Sequence, residues 1–290
     1  MFLRRARVLA RPFAVAAFSI GHLRGGATLA SAPVASGSGV AALPLARPPL
    51  RLVLYQYESC PFCNKVRAFL DFHRVPYIVV EVDPLTQSAI RWSSHKKVPL
   101  AVINGEPVGE SNVIIDRVGA LLGVSATGTT TTAEARWRAW VDEKLARLLT
   151  VSIYRTIGEA AQASDYITQR NFSPWVSLPA KWGGTALMFL IAKRMRSKYG
   201  IPDDVRGALY AELDAWVAAV GPTQPFLGGT QPSTADLCVF GVLRAVRGLD
   251  TERDMFVHSG IRPWYERMTD AVGPSALEHR VGEAPPPPLA

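Results

Sequence analysis

The chain has 290 residues and a formal net charge of +8, enough positive charge to raise the possibility of nucleic-acid binding. Its length allows two domains of ordinary size. The charge is local, because residues 1–50 carry +6 and residues 166–202 carry another +6, which leaves −4 on the rest. Two basic segments on a mildly acidic body do not predict a nucleic-acid-binding protein. No apolar stretch is long enough to span a bilayer, which argues against a simple transmembrane protein.

The two ends of the chain have the composition of unstructured segments. Residues 1–50 are rich in Arg, Ala and Ser and contain no acidic residue, as in an organelle transit peptide. We therefore predict a basic targeting or disordered segment and a mitochondrial or other organellar, membrane-associated location, with a cytoplasmic location as the alternative. Residues 276–290 include four consecutive prolines and are predicted to form a disordered tail.

Residues 51–122 alternate between strand and helix patterns in the order βαβα followed by ββα. The predicted strands are residues 51–57, 77–82, 100–103 and 107–109. The predicted helices begin at Pro61 and at Asp83-Pro84 (to about residue 93), and Ser111 is predicted to cap a third helix that runs to residue 122. Two strands joined by a helix are expected to be parallel, and a closing hairpin around Asn104-Gly105 adds antiparallel strands. This order predicts an α/β thioredoxin-like domain of the glutaredoxin type.

The second half of the chain is predicted to be helical. Residues 123–131 are rich in Gly, Ser and Thr and are predicted to be a linker. Residues 132–275 then show helical periodicity, with helix-start signals at Thr131, at Asp203 and at Ser233. A thioredoxin-like domain followed by an all-α domain is the glutathione-transferase architecture.

The motif Cys60-Pro61-Phe62-Cys63 lies where the first strand meets the first helix. A cysteine just before a helix faces unpaired N–H groups and the positive end of the helix dipole, which favour its thiolate. We predict Cys60 as the exposed nucleophile and Cys63 as a buried partner that can resolve a mixed disulfide. The same spacing can be half of a zinc site, but no second Cys or His pair is present, so no metal is expected. Cys238 lies in an apolar helix and is predicted to be an inert buried thiol.

Two short motifs are candidates for binding glutathione beside this thiol. In a thioredoxin fold the proline of Val98-Pro99 is cis, which directs the backbone of Val98 towards a bound peptide such as glutathione. Ser111 at a helix start can hold a carboxylate, and Glu110 can pair with an ammonium group. The alternatives are an ordinary strand-edge proline and a plain helix cap.

Aromatic residues flank the motif. Tyr57 and Phe62 are predicted to shape the surroundings of Cys60 and to suit an apolar substrate. Strand alternation puts Tyr55 and Tyr57 on one face, so either can instead belong to the core.

Residues 172–199 combine aromatic residues, an apolar run over residues 186–192 and a basic cluster without acids. Apolar side chains next to cations predict peripheral contact with an anionic membrane. A buried helix with a solvated basic end is the alternative.

Residues 54–73 (LYQYESCPFCNKVRAFLDFH) resemble the prostaglandin E synthase 2 family, as do residues 225–229, 235–237, 241–244, 248–250 and 263–265 of the helical half. The resemblance covers about residues 51–272. It implies glutathione binding, a homodimer, and isomerisation of prostaglandin H2 to prostaglandin E2 with Cys60 as the essential thiol and Val98 and Ser111 as glutathione contacts. Glu110 stands where the family pattern has Asp. The family also holds haem beside glutathione, with the glutathione sulfur as ligand.

Three functions are compatible with these features. An endoperoxide isomerase needs one thiol, whereas a glutathione-dependent thiol-disulfide oxidoreductase needs both Cys60 and Cys63. The third possibility is a protein that binds glutathione and haem without isomerase activity.

Overall fold

The computed structural model describes residues 50–83, 86–124, 132–163 and 174–281, without the side chains of residues 132 and 174–184. All the described residues belong to one compact unit. The predicted targeting segment up to residue 49, the linker over residues 125–131 and the tail from residue 282 lie outside them.

The sheet has the predicted thioredoxin-like topology with one strand added. Its strands are β1 (Leu52–Gln56), β2 (Tyr77–Glu81), β3 (Leu100–Ile103), β4 (Glu106–Gly109) and β5 (Leu277–Arg280). The spatial order is β4-β3-β1-β2-β5. β1 is parallel to β2 and antiparallel to β3, and β3 is antiparallel to β4. The parallel crossover and the closing hairpin expected from the sequence are therefore confirmed.

Strand β5 corrects the prediction that residues 276–290 are a disordered tail. It pairs in parallel with β2, with His279 opposite Ile78. The residues before it are anchored by one carboxylate, because Asp71 Oδ1 accepts bonds from Ser275 Oγ and from the backbone N–H of Ala276, both at 2.9 Å. An open sheet edge offers unpaired N–H and C=O groups, and pairing with β2 satisfies them in a segment whose own sequence has no strand pattern.

Helices account for most of the remaining described residues. They are α1 (Pro61–Phe72), α2 (Ser111–Leu122), α3 (Thr132–Trp140), α4 (Ala146–Ile153), α5 (157–163), α6 (Pro174–Lys198), α7 (Val205–Val220), α8 (Thr234–Arg244), α9 (Asp250–His258) and α10 (Arg262–Val272). A π-helical turn at Val141–Leu145 joins α3 to α4. None of the helices in the described part of the chain is both long and apolar enough to cross a membrane.

Local signals account for two of the helix starts and fail at a third. Ser233 and Asp236 form the reciprocal capping box of α8. The start of α7 lies close to the predicted Asp203, because the side chain of the next residue, Asp204, caps the helix by accepting a bond from the N–H of Gly207 at 2.9 Å. The helix predicted from Asp83 to about residue 93 is wrong for its described part, which has only a 3-10 turn at Ser88–Ile90. Gln87 has a φ of 48°, a left-handed conformation that a right-handed helix cannot contain.

Helix α1 is buried on both sides, because it lies between the sheet and α8 of the helical domain. Its polar residues Lys65 and Asp71 are fully buried. A Cβ added to Gly241 of α8 would lie 2.5 Å from Lys65 Cα and 2.6 Å from the Asn64 carbonyl oxygen. Only glycine permits so close a crossing. Asp71 is also bound by Arg244 of α8 at 2.9 Å, so the helix that follows Cys60 is fixed by the second domain.

Candidate functional site

The loop that carries Cys60 is held by backbone hydrogen bonds at the start of α1. The N–H of Cys60 donates to the Tyr57 carbonyl at 3.0 Å, and the Cys60 carbonyl accepts from the N–H of Asn64 at 3.0 Å. Pro61 occupies the first turn, where a backbone N–H has no helical partner to lose. Cys60 therefore stands in the capping position, with the open end of the helix behind it.

The two thiols of the motif have different environments. Cys60 is partly exposed and Cys63 is buried, the exposures that the sequence predicts. The hydrogen bond from the Cys63 thiol, followed by the N–H groups of Cys63 and Phe62, lowers the pKa of Cys60 below that of an ordinary cysteine. Burial, reinforced by Cys60, raises the pKa of Cys63 well above the ordinary value. Of the two thiols, Cys60 is therefore the one that loses its proton first.

A cavity of about 540 Å³ opens onto Cys60. Seven of the eight predicted site residues line it: Tyr57, Cys60, Phe62, Val98, Pro99, Glu110 and Ser111. Only the buried Cys63 does not. The Val98–Pro99 peptide bond is cis, as expected. The residues nominated from separate motifs thus meet at one opening, between the carboxyl end of β1 and the first turns of α1 and α2.

The start of α2 differs in detail from the prediction that Ser111 is its cap. Ser111 is the first helical residue and is buried, whereas Glu110 holds the capping position without a side-chain cap bond. Glu110 has a φ of 64°, which is uncommon for a residue with a side chain. Its side chain is exposed, so its carboxylate is available to a ligand in the cavity.

Sequence reasoning missed six residues of the cavity wall: Gln87, His95, Lys96, Lys97, Asn112 and Asp142. The basic run at residues 95–97 precedes Val98-Pro99 directly, so proximity in sequence was a usable signal for it. His95 packs on Gly109, where an added Cβ would lie 2.6 Å from the imidazole ring. No comparable signal existed for Asp142, because it comes from the π-helical turn of the other domain.

Asp142 joins both domains at the cavity. Its Oδ1 lies 2.5 Å from Lys65 Nζ, and its Oδ2 accepts a bond from Asn112 Nδ2 at 2.6 Å. Lys65 Nζ also donates to Asn112 Oδ1 at 2.9 Å. The Lys65 side chain has no exposure to solvent, whereas that of Asp142 is 26 % exposed. A buried cation of α1 therefore holds a carboxylate in place at the cavity wall.

Two tyrosines bring neutral hydroxyl groups to the region of the thiolate. Burial raises the pKa of Tyr57, which lines the cavity. Burial also raises the pKa of Tyr154, at the end of α4, to about 12, and the charge of Cys60 adds to the shift. Both phenols are therefore protonated at neutral pH. Tyr154 is a further residue that its sequence position did not suggest.

The chemical character of the cavity is mixed. Lys96 and Lys97 supply cations, Glu110 and Asp142 supply carboxylates, and Tyr57 and Phe62 are among the aromatic residues that line it. Such a wall can hold a zwitterionic molecule next to the Cys60 thiol and leave an apolar surface for a second molecule. Within the described ranges, no group of three His, Cys, Asp or Glu residues is arranged to bind a metal ion.

Comparison with known proteins gives the family of this fold and site. The family described as glutathione S-transferase, N-terminal domain, matches residues 54–123. Prostaglandin E synthase 2 of Mus musculus is 38% identical over 289 residues, covering 83% of this chain and 75% of that protein. Prostaglandin E synthase 2 of Danio rerio is 37% identical over 268 residues, covering 77% and 71%.

A solved structure supports the fold alone. The β-etherase LigF of Sphingobium sp. strain SYK-6 superposes with a TM-score of 0.50 at 20% identity, covering 78% of this chain and 97% of that one. The chain thus has the glutathione-transferase fold, and its identity to the two synthases over most of their length shows that it belongs to the prostaglandin E synthase 2 family.

Proposed function

We propose that this protein is a glutathione-binding prostaglandin E synthase that isomerises the endoperoxide prostaglandin H2 to prostaglandin E2 with the Cys60 thiol. The observation that carries the proposal is the partly exposed Cys60, with its lowered pKa, at a cavity whose wall is partly charged and partly aromatic. The names of the mouse and zebrafish relatives support prostaglandin E as the product.

The charged part of the cavity suits glutathione, which has two carboxylates, one ammonium group and a thiol. Ser111 and the N–H groups at the start of α2 would hold the γ-glutamyl carboxylate. Glu110 and Asp142 would pair with the ammonium group, and the lysines at positions 96 and 97 with the glycine carboxylate. The backbone of Val98 would pair with the peptide. Bound glutathione supplies a second thiol beside Cys60.

The isomerisation needs no net oxidant. Cys60 can supply the nucleophile for it, and Tyr57 can donate and then accept the proton. The Cys60 thiolate attacks one peroxide oxygen, a sulfur–oxygen bond forms, and the oxygen–oxygen bond breaks. The other oxygen leaves as an alkoxide and takes the proton of the Tyr57 phenol, which its raised pKa keeps in place until that step. The phenolate then removes the proton from the carbon that bears the sulfur-linked oxygen. The carbon–hydrogen electrons form the ketone, and the sulfur–oxygen bond breaks to restore the thiolate.

Product analysis with single-cysteine variants tests this function. Purified protein with glutathione should convert prostaglandin H2 to prostaglandin E2 above the spontaneous rate, measured by mass spectrometry. Cys60→Ser should abolish the excess rate, whereas Cys63→Ser and the remote control Cys238→Ser should keep most of it. A Cys60→Ser variant as fast as the unmodified protein would exclude Cys60 as the essential thiol.

One observation favours a second candidate, a glutathione-dependent thiol-disulfide oxidoreductase. Cys63 lies in the first turn of the helix that Cys60 caps, and hydrogen bonding from its thiol is the first cause of the lowered pKa of Cys60. A mixed disulfide of Cys60 with glutathione is then within reach of Cys63. In that case Cys63→Ser should lose reduction of a low-molecular-weight disulfide as completely as Cys60→Ser does. The same pair of variants therefore separates the two chemistries.

A complex with glutathione and haem is the third state that we propose for this site. Tyr57 and Phe62 give the cavity wall an aromatic surface that suits a flat apolar ring beside bound glutathione. Haem bound in this way would supply an iron centre, and the glutathione sulfur would be its ligand. Absorption spectra of the protein titrated with haem, with and without glutathione, test it, since binding that does not depend on glutathione contradicts the proposed ligand.

The assembly and location of the protein are also proposals. We propose a homodimer, which light scattering of the purified chain would test. We propose an organellar, membrane-associated location, and imaging of the full chain beside a chain that starts at residue 48 would show whether residues 1–47 direct it.

A further inference from the structure

The segment over residues 274–281, here called the C-terminal strap, runs from the end of α10 to the neighbourhood of the reactive thiol. Arg74 Nη1 donates to the Pro274 carbonyl at 2.8 Å, and Asp71 holds the next two residues. Strand β5 then follows β2, and the N–H of Val281 donates to the Val79 carbonyl at 2.9 Å. The strap is therefore bound along its whole length to the thioredoxin-like domain.

Arg280 of the strap faces two carboxylates that lie close together. Its Nη2 is 3.2 Å from Glu58 Oε1, and its Nη1 is 3.9 Å from Glu81 Oε2. Glu81 Oε1 in turn accepts the backbone N–H of Glu58 at 2.6 Å. All three side chains are mostly buried, so water screens the repulsion between the two acids poorly. The charge of Glu58 also helps to raise the pKa of Arg67 of α1, so Arg67 is a second cation near the pair.

Hydrogen bonds connect this acidic pair to the thiol. The Glu58 carbonyl accepts a bond from Asn64 Nδ2 at 2.7 Å, and the same amide donates to the Cys60 carbonyl at 3.1 Å. The loop of residues 57–60 is therefore held by Glu81 through a backbone N–H and by Asn64 through two backbone carbonyls. The carboxylate of Glu81 acts against the groups that lower the pKa of Cys60, because its negative charge opposes the thiolate.

We propose that Arg280 is a positioning residue for Cys60, which neutralises the Glu58–Glu81 pair and thereby keeps the loop of residues 57–60 in place and the thiolate favoured. The inference rests on the proposed function only in taking Cys60 as the reactive thiol. Without the guanidinium, the two acids repel each other and the negative potential near Cys60 increases. Arg67 remains in that case, so the expected effect is partial.

The experiment is the pH dependence of Cys60 alkylation by iodoacetamide in the full chain, followed by mass spectrometry of the Cys60 peptide. Arg280→Gln should move the midpoint to higher pH by about half a unit, which lowers the rate at pH 6 about threefold. Arg280→Lys should restore most of the rate. The control Arg253→Gln, whose side chain is 69 % exposed and pairs with Asp250 and Asp254 on its own helix α9, should match the unmodified protein.

Removal of the acid provides a second arm that does not depend on the folding of Arg280→Gln. Glu81→Gln alone should move the midpoint to lower pH, and Glu81→Gln with Arg280→Gln should return it close to the original value. Superimposable profiles for the unmodified protein, Arg280→Gln and Glu81→Gln would overturn the inference. If Cys60 of the unmodified protein is alkylated with the midpoint of an ordinary cysteine, the proposed function loses its activated thiol. The role of Arg280 is tested separately, by the difference in midpoint between the variants and the unmodified protein.

Discussion

Replacement of Asp142 by Asn should destabilise the protein strongly, although the new side chain has almost the same shape. The change removes the counter-charge 2.5 Å from Lys65 Nζ, whose side chain has no exposure to solvent. The Lys65 ammonium keeps its bond to Asn112 but stays buried as an uncompensated charge. Loss of one partner of a buried ion pair typically costs about 3–5 kcal/mol. Because Asp142 is partly exposed and water can replace some of its interaction, we expect about 2–4 kcal/mol.

A double-mutant cycle separates the charge from the packing. Lys65→Met leaves Asp142 charged but partly hydrated, so it should cost less, about 1–2 kcal/mol. The variant with both changes has no unpaired charge, and its loss should fall about 2 kcal/mol short of the sum of the two single losses.

Urea unfolding followed by tryptophan fluorescence measures these losses, since Trp137, Trp140 and Trp216 form a cluster in the same domain as Asp142. The control is Glu106→Gln, which breaks an ion pair with both side chains more than half exposed and should cost at most about 0.5 kcal/mol. If Asp142→Asn costs no more than this control, or if the losses in the cycle simply add, the buried-charge reasoning is wrong.

Three further predictions concern stability, binding and surface contact. Asp236→Ala should lower the free energy of unfolding in urea by about 3–5 kcal/mol. The reason is that this fully buried carboxylate accepts bonds from Ser233, from the N–H groups of residues 227 and 228, and from the indole of residue 264. A loss near 1 kcal/mol would mean that only the helix cap contributes. Ser111→Ala should weaken glutathione binding by about 1 kcal/mol in calorimetry, and an unchanged affinity would place the γ-glutamyl carboxylate elsewhere. Leu187 and Leu190 of α6 are 52% and 61% exposed, so a chain starting at residue 48 should sediment with anionic vesicles at low salt. Leu190→Glu should reduce the fraction of protein that sediments. An unchanged fraction would exclude this face of α6 as the membrane contact.

Local patterns were sufficient to predict most of the thioredoxin-like domain and the motif at its centre. Pro61 after a β-rich run predicts the start of α1, and Asn104-Gly105 predicts the hairpin, because each depends on the conformational limits of a few residues. The residues predicted around Cys60 meet at one cavity because the thioredoxin-like fold brings the ends of its strands and the starts of its helices together. What each of them does chemically stays a prediction.

The features that the sequence did not predict depend on distant partners. Strand β5 has the polar sequence LEHR, and it is a strand because the edge of β2, about 200 positions earlier in the chain, was open. A lysine in a helix is usually exposed to solvent, but Lys65 is buried because α8 covers that side of α1. Asp142 reaches the cavity from the second domain. A pattern read over a short window contains no information about such pairings.

The close crossing of α1 and α8 also limits which helical domains can be combined with this thioredoxin-like domain. With 2.5 Å between an added Cβ at Gly241 and the Lys65 backbone, the two halves fit only where one of them lacks a side chain. A chimera that joins this thiol-bearing half to the helical half of a relative should therefore assemble only if the incoming helix has glycine at the same crossing. Gly241→Ala tests this in one substitution, since it should loosen the seam between the halves while every residue of the cavity wall stays unchanged.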